Sequence, residues 1–376
     1  MDWNKLMRKI VNWFNDSIYT RPLSPACRMC AEGSKMVILV TGLCPASCFY
    51  CPLSEKKIGK DRIFADEWEL SNENDTEKLI LEAKYIEAKG AGITGGDPLV
   101  KWKRTKEYIS LLKNEFGTDF HIHLYTSGLK NGEYIDELVA AGLDEIRFHP
   151  MIIYWEKMQD VPFLKYIKKS IALDCDVAFE IPVIPGFETD IFSLVKWASE
   201  NNVSWVNLNE LEYSETNAKE LNNKDFTVKD DISSAVKNSQ QNAINVIKKV
   251  VDADLQIGVH YCSSSFKDGI QLRNRIKRRA ENIARESDII TDDGTLLKGV
   301  IFSKNKSLNE IYNLLVNNLK IQKKYVNIDL DKKRIELAIW ILEKNLKFFK
   351  ENDFECFIVE EYPTADRLEV EKIPLT

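Results

Sequence analysis

Residues 41–54 read TGLCPASCFYCPLS and place Cys44, Cys48 and Cys51, three of the chain's eight cysteines, in one short segment. The segment follows MVILVT (36–41), a β-rich apolar run that reads as the first buried strand of a large parallel sheet. Working outward, six more such runs follow: AGITG (91–95), FHIHLYT (120–126), DEIRFH (144–149), DVAFEIPVI (176–184), SWVNLNEL (204–211) and LQIGVHY (255–261). Helical patterns separate most of them. DTEKLILEAKYIEAKG presents Leu79, Ile80, Ala83 and Ile86 before a terminating glycine, and EYIDELVAAG repeats the design with Ile135, Leu138 and Val139. Strand, helix, strand at this spacing means parallel pairing. The expected fold is therefore α/β, a partial or near-complete parallel β/α (TIM-like) barrel over 36–287, with a doubly wound open sheet as the second choice.

After residue 288 the pattern changes to LLKGVIFS, YVNIDL, FECFIVEEYP and RLEVEKIPL with helices from SLNEIYNLL and RIELAIWILEKNLKFF. That is a small C-terminal α+β domain over 288–376, ferredoxin-like in its element order. The stretch SETNAKELNNKDFTVKDD (214–231) reads as a mobile polar excursion after the sixth strand.

The chain has 376 residues, 44% hydrophobic, and a formal net charge of -6, enough apolar content for a sizeable core and no global bias toward nucleic acid or anionic membrane. Residues 1–35 form a separate N-terminal segment. In it Trp3, Leu6, Met7, Ile10, Trp13, Phe14 and Ile18 have helical spacing broken by charges, so it is neither a signal peptide nor a membrane span, which needs roughly 20 apolar residues. A cytoplasmic setting with reduced thiols is expected, where cysteines bind metal or do redox chemistry more often than they form disulfides.

Two readings of the cysteines compete. Cys27-x2-Cys30 with Cys48-x2-Cys51 has the spacing of a four-thiolate zinc site, which would make the chain a non-catalytic zinc-binding scaffold. It leaves Cys44 idle and forces the strand at 36–41 into a small zinc ribbon. The other reading takes Cys44, Cys48 and Cys51 together as C-x3-C-x2-C, three thiolates that hold three irons of a 4Fe-4S cluster and leave the fourth iron open.

With Tyr50 before Cys51, this loop resembles the signature of the radical S-adenosylmethionine superfamily. Gly95-Gly96-Asp97-Pro98 resembles the family's Gly-Gly-Glu-Pro, with aspartate one methylene shorter. TSG (126–128) and VIPGFETD (183–190) resemble two further family segments. The resemblance covers roughly 36–215 and is nearest to an uncharacterised archaeal-type group related to the pyruvate formate-lyase activating enzymes. It implies a 4Fe-4S cluster and S-adenosyl-L-methionine as cofactors. Its methionine end would chelate the open iron beside Gly95, Gly96 and Asp97, with Tyr50 and Ser127 also placed at the cofactor. A 5'-deoxyadenosyl radical would then abstract hydrogen from a peptide or protein, an RNA or a small molecule. A one-electron reductant of flavodoxin or ferredoxin type is the implied partner.

Residues two apart on a strand share a face. His121, His123 and Tyr125, then Arg147 and His149, Glu180, and Asn207 with Asn209 give one face of the sheet a polar character that a barrel filled only for stability would lack. Arg147 and His149 are candidates for the cofactor's ribose or carboxylate. Cys27, Cys30, His260 and Cys262 make a plausible second metal site, for zinc or an auxiliary iron-sulfur cluster; alternatively Cys262 is a hydrogen-atom donor without a metal. Cys175 and Cys356 read as core residues. KDGIQLRNRIKRRAENIAR (267–285) offers a basic helix face for a phosphate-bearing or RNA ligand.

Overall fold

A computed structural model describes residues 9–230 and 233–375. The seven expected strands form: β1 (Lys35–Leu39), β2 (Gly90–Thr94), β3 (His121–Thr126), β4 (Glu145–Phe148), β5 (Asp176–Val183), β6 (Trp205–Glu210) and β7 (Gly258–Cys262). They lie side by side in chain order, every neighbouring pair parallel. The sheet does not close. The outer edge of β1 carries an antiparallel hairpin, Ile63–Ala65 with Trp68–Leu70, and that of β7 carries Ile18–Tyr19 and Val11–Asn12. The result is a partial barrel whose two edge strands, β1 and β7, are covered by short antiparallel strands rather than joined to each other.

Strand parity sorts the side chains. One face presents Ile38, Ile93, Leu124, Phe148, Phe179 and Leu208, all fully buried. The other presents Lys35, His123, Arg147, Glu180, Asn207 and His260; Glu180, Asn207 and His260 stand in one register across β5 to β7, and Lys35 Nζ lies 3.5 Å from His123 Nε2. The apolar core thus lies in the shell outside the strands, and the inner face is polar. Gly92 keeps that inner face passable, since a Cβ there would stand 2.7 Å from His123 Nε2.

The helix expected over residues 1–20 does not form in its described part. Val11–Asn12 and Ile18–Tyr19 are strands around a tight turn, with Asn15 and Asp16 in the left-handed region, because pairing with the edge of β7 outweighs helical spacing. Trp3, Leu6 and Met7 lie outside the described residues. The segment's helix comes later, at Pro25–Glu32, where Ser24 caps the start, Pro25 opens the first turn, and Gly33 ends it at φ 68°. No helix among the described residues is long and apolar enough to cross a membrane.

The chain divides into two compact units, Met1–Lys84 with Ala88–Leu272, and Tyr85–Glu87 with Arg273–Thr376. The composition shift drew the line at 287; by compactness it falls after Leu272, so the basic helix Arg273–Ile283 groups with the second unit. There Arg278 holds the Ile86 carbonyl at 2.7 Å and Glu87 at 3.1 Å, Arg279 is buried, and Arg285 pairs with Glu336 at 2.7 Å. With these cations engaged inside their own unit, the phosphate or RNA reading of 267–285 gains no support from the geometry.

The second unit runs strand Leu296–Phe302, helix Leu308–Asn313, strands Val326–Asp329 and Arg334–Leu337, helices Ile339–Lys344 and Leu346–Glu351, strand Glu355–Glu361. The first and last of these strands pair with each other, and the first also pairs with Arg334–Leu337, all antiparallel, which is the split βαββαβ arrangement. Glu369–Pro374 extends the sheet beyond Glu355–Glu361. One face buries Ile301, Ile335, Leu337, Leu342 and Phe349. The opposite face is an ion network: Glu361 meets Lys298 at 2.7 Å and Arg334 at 2.7 Å, and Arg334 reaches Glu336 at 2.7 Å.

Burial works to raise the Glu361 carboxyl, and Lys298, Arg367 and Arg334 overcome it, holding it down to about 2 against 4.5 for a free glutamate. Its contribution is therefore complete above pH 4.5 and is lost as the pH falls toward 2. Glu361→Gln should lower the melting temperature at neutral pH and flatten the acid limb of stability in that window, as read by thermal melts across pH.

Candidate active site

The cysteine loop leaves the C-terminal end of β1 and is fixed at both ends by backbone. Gly42 N donates to Lys60 O at 2.8 Å and Gly42 O accepts from Gly59 N at 2.9 Å; a Cβ at Gly42 would stand 1.7 Å from Lys57 O. Beneath this crossing, Asp61 accepts from Thr41 Oγ1 at 2.8 Å and from Arg104 at 2.7 Å, while Arg104 also holds Val40 O at 2.9 Å. Burial tends to raise the Asp61 carboxyl, but Arg104, Lys101 and Thr41 hold it well below the usual range, so it stays a carboxylate. Within the loop Cys51 N donates to Cys48 O at 3.1 Å. All three thiols are free, Cys44 exposed and Cys48 and Cys51 half-buried.

The Gly-Gly-Asp-Pro turn packs directly against that loop. Gly96 N donates to Thr41 O at 2.7 Å and Asp97 N to Leu43 O at 2.8 Å. Neither position has room for a side chain: a Cβ at Gly95 would lie 2.3 Å from Thr41 O, and one at Gly96 2.3 Å from Leu43 O. The glycines thus bring the end of β2 into backbone contact with the residues before Cys44. Asp97 was expected at the cofactor, and the structure gives its side chain a different task. It is fully buried, accepting from Leu99 N at 3.0 Å, Thr126 Oγ1 at 2.9 Å, Ser127 N at 3.0 Å and Ser127 Oγ. Ser127, also expected at the cofactor, has its hydroxyl committed to this carboxylate. The pair ties the end of β2 to the end of β3. Asp97→Asn replaces an acceptor with a donor facing N–H or O–H groups, so it should cost about 1–3 kcal/mol in chemical denaturation.

Tyr50 and His149 do come together, from the cysteine loop and the end of β4. His149 Nδ1 lies 2.7 Å from Glu180 O, which can only accept, so Nδ1 carries the proton. Burial lowers the His149 pKa and keeps the ring neutral, so Nε2 accepts from Tyr50 OH at 2.9 Å. The described part of the polar stretch, 214–230, is not the mobile excursion its composition suggests. Asn217, 1% exposed, donates to Tyr50 O at 3.1 Å and Glu212 O at 2.9 Å; Thr216 Oγ1 donates to Cys51 O at 3.2 Å; Lys224 Nζ sits 4.7 Å from the Phe49 ring centroid. This turn clamps the carbonyls of two consecutive loop residues. The sequence carries no side-chain code for it, because the bonds end on main chain.

Arg147, a candidate for the cofactor carboxylate, is 2% exposed and engaged at all three nitrogens: Nε to Glu145 at 2.5 Å, Nη1 to Glu180 at 2.6 Å, Nη2 to Ser24 at 2.9 Å and Cys27 Sγ at 3.7 Å. A guanidinium so engaged anchors the inner network and has no fork left for a ligand. Glu180 continues the network to Asn209 at 2.9 Å, Asn209 to Asn207 at 3.0 Å, and Asn207 to His260 Nδ1 at 2.7 Å. The polar inner face is thus occupied by its own side chains and by the helix Pro25–Glu32. A cavity of about 10 Å³ beside Ser24, Cys27, Asn207 and His260 remains, at the lower limit for one water.

Cys27, Cys30 and Cys262 lie within electrostatic reach of one another, but the four residues proposed for a second metal do not stand at single-ion spacing. Cys27 Sγ faces Asn207 Oδ1 at 3.9 Å, Cys30 interacts with Lys35, His260 bonds Asn207, and Cys262 accepts from Gln271 at 3.6 Å. Burial pushes Cys27 up to about 11 and His260 down to about 3, so one is a neutral thiol and the other a neutral imidazole. The zinc set of Cys27, Cys30, Cys48 and Cys51 fails as well. Its first pair belongs to the helix before β1, tied to the inner network, and its second to the loop after β1. Among the described residues no three His, Cys, Asp or Glu side chains stand at single-ion spacing.

Cys44, Cys48 and Cys51 suit a different group. They are soft thiol donors on one loop whose backbone is held from three directions, by Gly42, by Gly96 and Asp97, and by Thr216 and Asn217. Burial pushes Cys44 up to about 11, so without a cation that side chain is a thiol, and the iron of a bound cluster would supply the charge that deprotonates it.

The sequence pattern of the radical S-adenosylmethionine superfamily matches residues 38–186, and that of a domain of unknown function, DUF8061, matches 294–375. The chain belongs to the radical S-adenosylmethionine superfamily and is a radical S-adenosylmethionine enzyme. A Methanocaldococcus jannaschii protein bearing the name "Putative glycyl-radical enzyme activating enzyme MJ0021" is 41% identical over 364 residues, spanning 94% of this chain and 93% of that one. Among solved structures, Streptococcus suis SuiB bound to S-adenosylmethionine aligns over 61% of this chain and 50% of its own, with TM-score 0.44 and 11% identity. SuiB bound to the precursor peptide SuiA aligns over 63% and 51%, with TM-score 0.44 and 10% identity. The likeness spans about half the length of SuiB.

Proposed function

We propose that this chain is an activating enzyme that abstracts a Cα hydrogen from a glycine of a partner protein. The observation that carries this reading is the 41% identity to a protein of that name along 94% of the chain, the C-terminal unit included. A 4Fe-4S cluster with S-adenosylmethionine, when bound, supplies one electron that cleaves the sulfonium to methionine and a 5'-deoxyadenosyl radical, the hydrogen acceptor.

The chain's own residues have separable tasks in this proposal. Cys44, Cys48 and Cys51 would hold three irons of the cluster. Gly95 and Gly96 bring the end of β2 against the loop beside Cys44, where the methionine end of the cofactor belongs. Tyr50, oriented through its hydroxyl by neutral His149, fixes the adenosyl side. Cys262 stays inside its own strand environment as a protonated thiol and is not required for abstraction from glycine.

The test is anaerobic reconstitution with iron and sulfide, then reduction with dithionite and S-adenosylmethionine. 5'-Deoxyadenosine should form, and a candidate glycine-bearing partner should acquire a carbon-centred radical with a glycyl doublet in electron paramagnetic resonance. Release of 5'-deoxyadenosine with stable radical on RNA or a small molecule instead would replace the substrate class.

A further inference from the structure

As a radical S-adenosylmethionine enzyme the chain must receive electrons one at a time. Cys44 is the exposed member of the cysteine set. The segment that folds back over the loop, bonded to Gly42 through Lys60 O and Gly59 N, is SEKKIGK (54–60). It carries Lys56, Lys57 and Lys60 against one acid, Glu55, in a chain whose net charge is -6. Lys57 lies over the Phe64 ring at 4.5 Å. Lys60 Nζ reaches only a neutral carbonyl, Glu55 O, at 2.8 Å, and neither it nor Lys56 has a carboxylate partner among the described residues. The flanking cations differ: Arg62 is paired with Glu69, and Lys101 with Asp61 at 2.8 Å. Between the two uncommitted lysines Ile58 is 43% exposed.

We infer that Lys56, Ile58 and Lys60, beside exposed Cys44, form the docking face for a small acidic one-electron carrier protein. The inference rests on the radical S-adenosylmethionine reading of the cysteine loop. An apolar contact rimmed by uncompensated positive charge matches a partner whose redox group sits in an apolar patch ringed by carboxylates. The rest of a net acidic surface repels such a partner, so the local field both steers and orients it. In the step itself the carrier loses one electron and the cluster gains one; no bond forms or breaks. Lys60 contributes through its charge, since its carbonyl, not its side chain, holds Gly42.

The experiment uses the full reconstituted protein and a fully reduced flavodoxin, with bleaching of the cluster absorbance followed by stopped flow. Lys56→Glu with Lys60→Glu should lower the second-order rate constant about tenfold or more at low ionic strength, with the gap narrowing as salt is raised. Reduction by dithionite, a small reagent that needs no docking face, should proceed at the wild-type rate. Lys304→Glu, the same kind of substitution made once at a site 85% exposed in the other unit, should leave the flavodoxin rate unchanged. Ile58→Ser should weaken the complex with oxidised flavodoxin in calorimetry without altering the salt dependence.

A wild-type flavodoxin rate in the double variant overturns the proposal. So does a loss of dithionite-driven turnover on a protein substrate with reduction intact, which would make the face a substrate surface. Should wild-type protein fail to cleave S-adenosylmethionine even with dithionite, the reading of the cysteine loop falls first, and that failure is distinct from either of these.

Discussion

Replacing Cys44, Cys48 and Cys51 together with alanine should give a protein that folds but is colourless after anaerobic reconstitution and releases no 5'-deoxyadenosine with dithionite. Folding survives because the loop's backbone is fixed independently of its thiols: Gly42 by Lys60 and Gly59, Tyr50 by Asn217, and Cys51 by Thr216. The loss should be complete, several orders of magnitude in rate, because the barrier to sulfonium cleavage is lowered by the cofactor and not by side-chain chemistry. Iron analysis against wild type, with circular dichroism as the folding control, reads the result. Retention of cluster colour, or of product, in the triple variant would take the assignment away from these residues.

Gly96→Val should lose iron as well as cofactor affinity. Seen from sequence alone, a side chain here would crowd only the methionine end and leave iron content normal. The structure changes that expectation, because a Cβ at Gly96 would meet Leu43 O at 2.3 Å and Gly42 O at 2.7 Å. Those are main-chain atoms and cannot step aside as a side-chain tip does, so the cysteine loop must shift as a unit. Distortion of a site whose ligands must meet a fixed cluster geometry typically costs 10–100-fold in affinity. Iron per chain after reconstitution should fall well below wild type, and calorimetry with S-adenosylmethionine should show weakened binding. Normal iron with weak cofactor binding would restore the simpler steric view.

The seven strands were readable because each is a short β-branched run bounded by turn residues, and alternation gave the faces correctly: His123, Arg147, Glu180 and Asn207 do share one side. What alternation cannot give is the partner across the sheet. Arg147 looked available for a ligand, yet Glu145 and Glu180 neutralise it and Ser24, from a segment far upstream, completes its coordination. Asp97 looked like a shortened cofactor contact, whereas its length suits a cap on Leu99 N and a tie to Thr126 and Ser127. The clamp at Thr216 and Asn217 was hidden by composition, since a polar stretch that bonds to carbonyls has the same residues as one that bonds to water. Over residues 9–20 the N-terminal helix failed for the converse reason: apolar spacing was real, but a nearby strand edge offered longer-range pairing.

That edge pairing has a consequence for how the chain is made. Ile18 and Tyr19 complete the sheet only by pairing with Tyr261 and His260, and Ser17 bonds Ser263 across 246 positions of sequence. During synthesis the N-terminal segment must wait for almost the whole first unit to emerge, and closing so long a loop is slow compared with forming the local βα units. In that interval β7, once made, has a bare edge, which is the species prone to associate with other chains. Nascent-chain yield should therefore depend on the first twenty residues more strongly than the stability of the finished protein does.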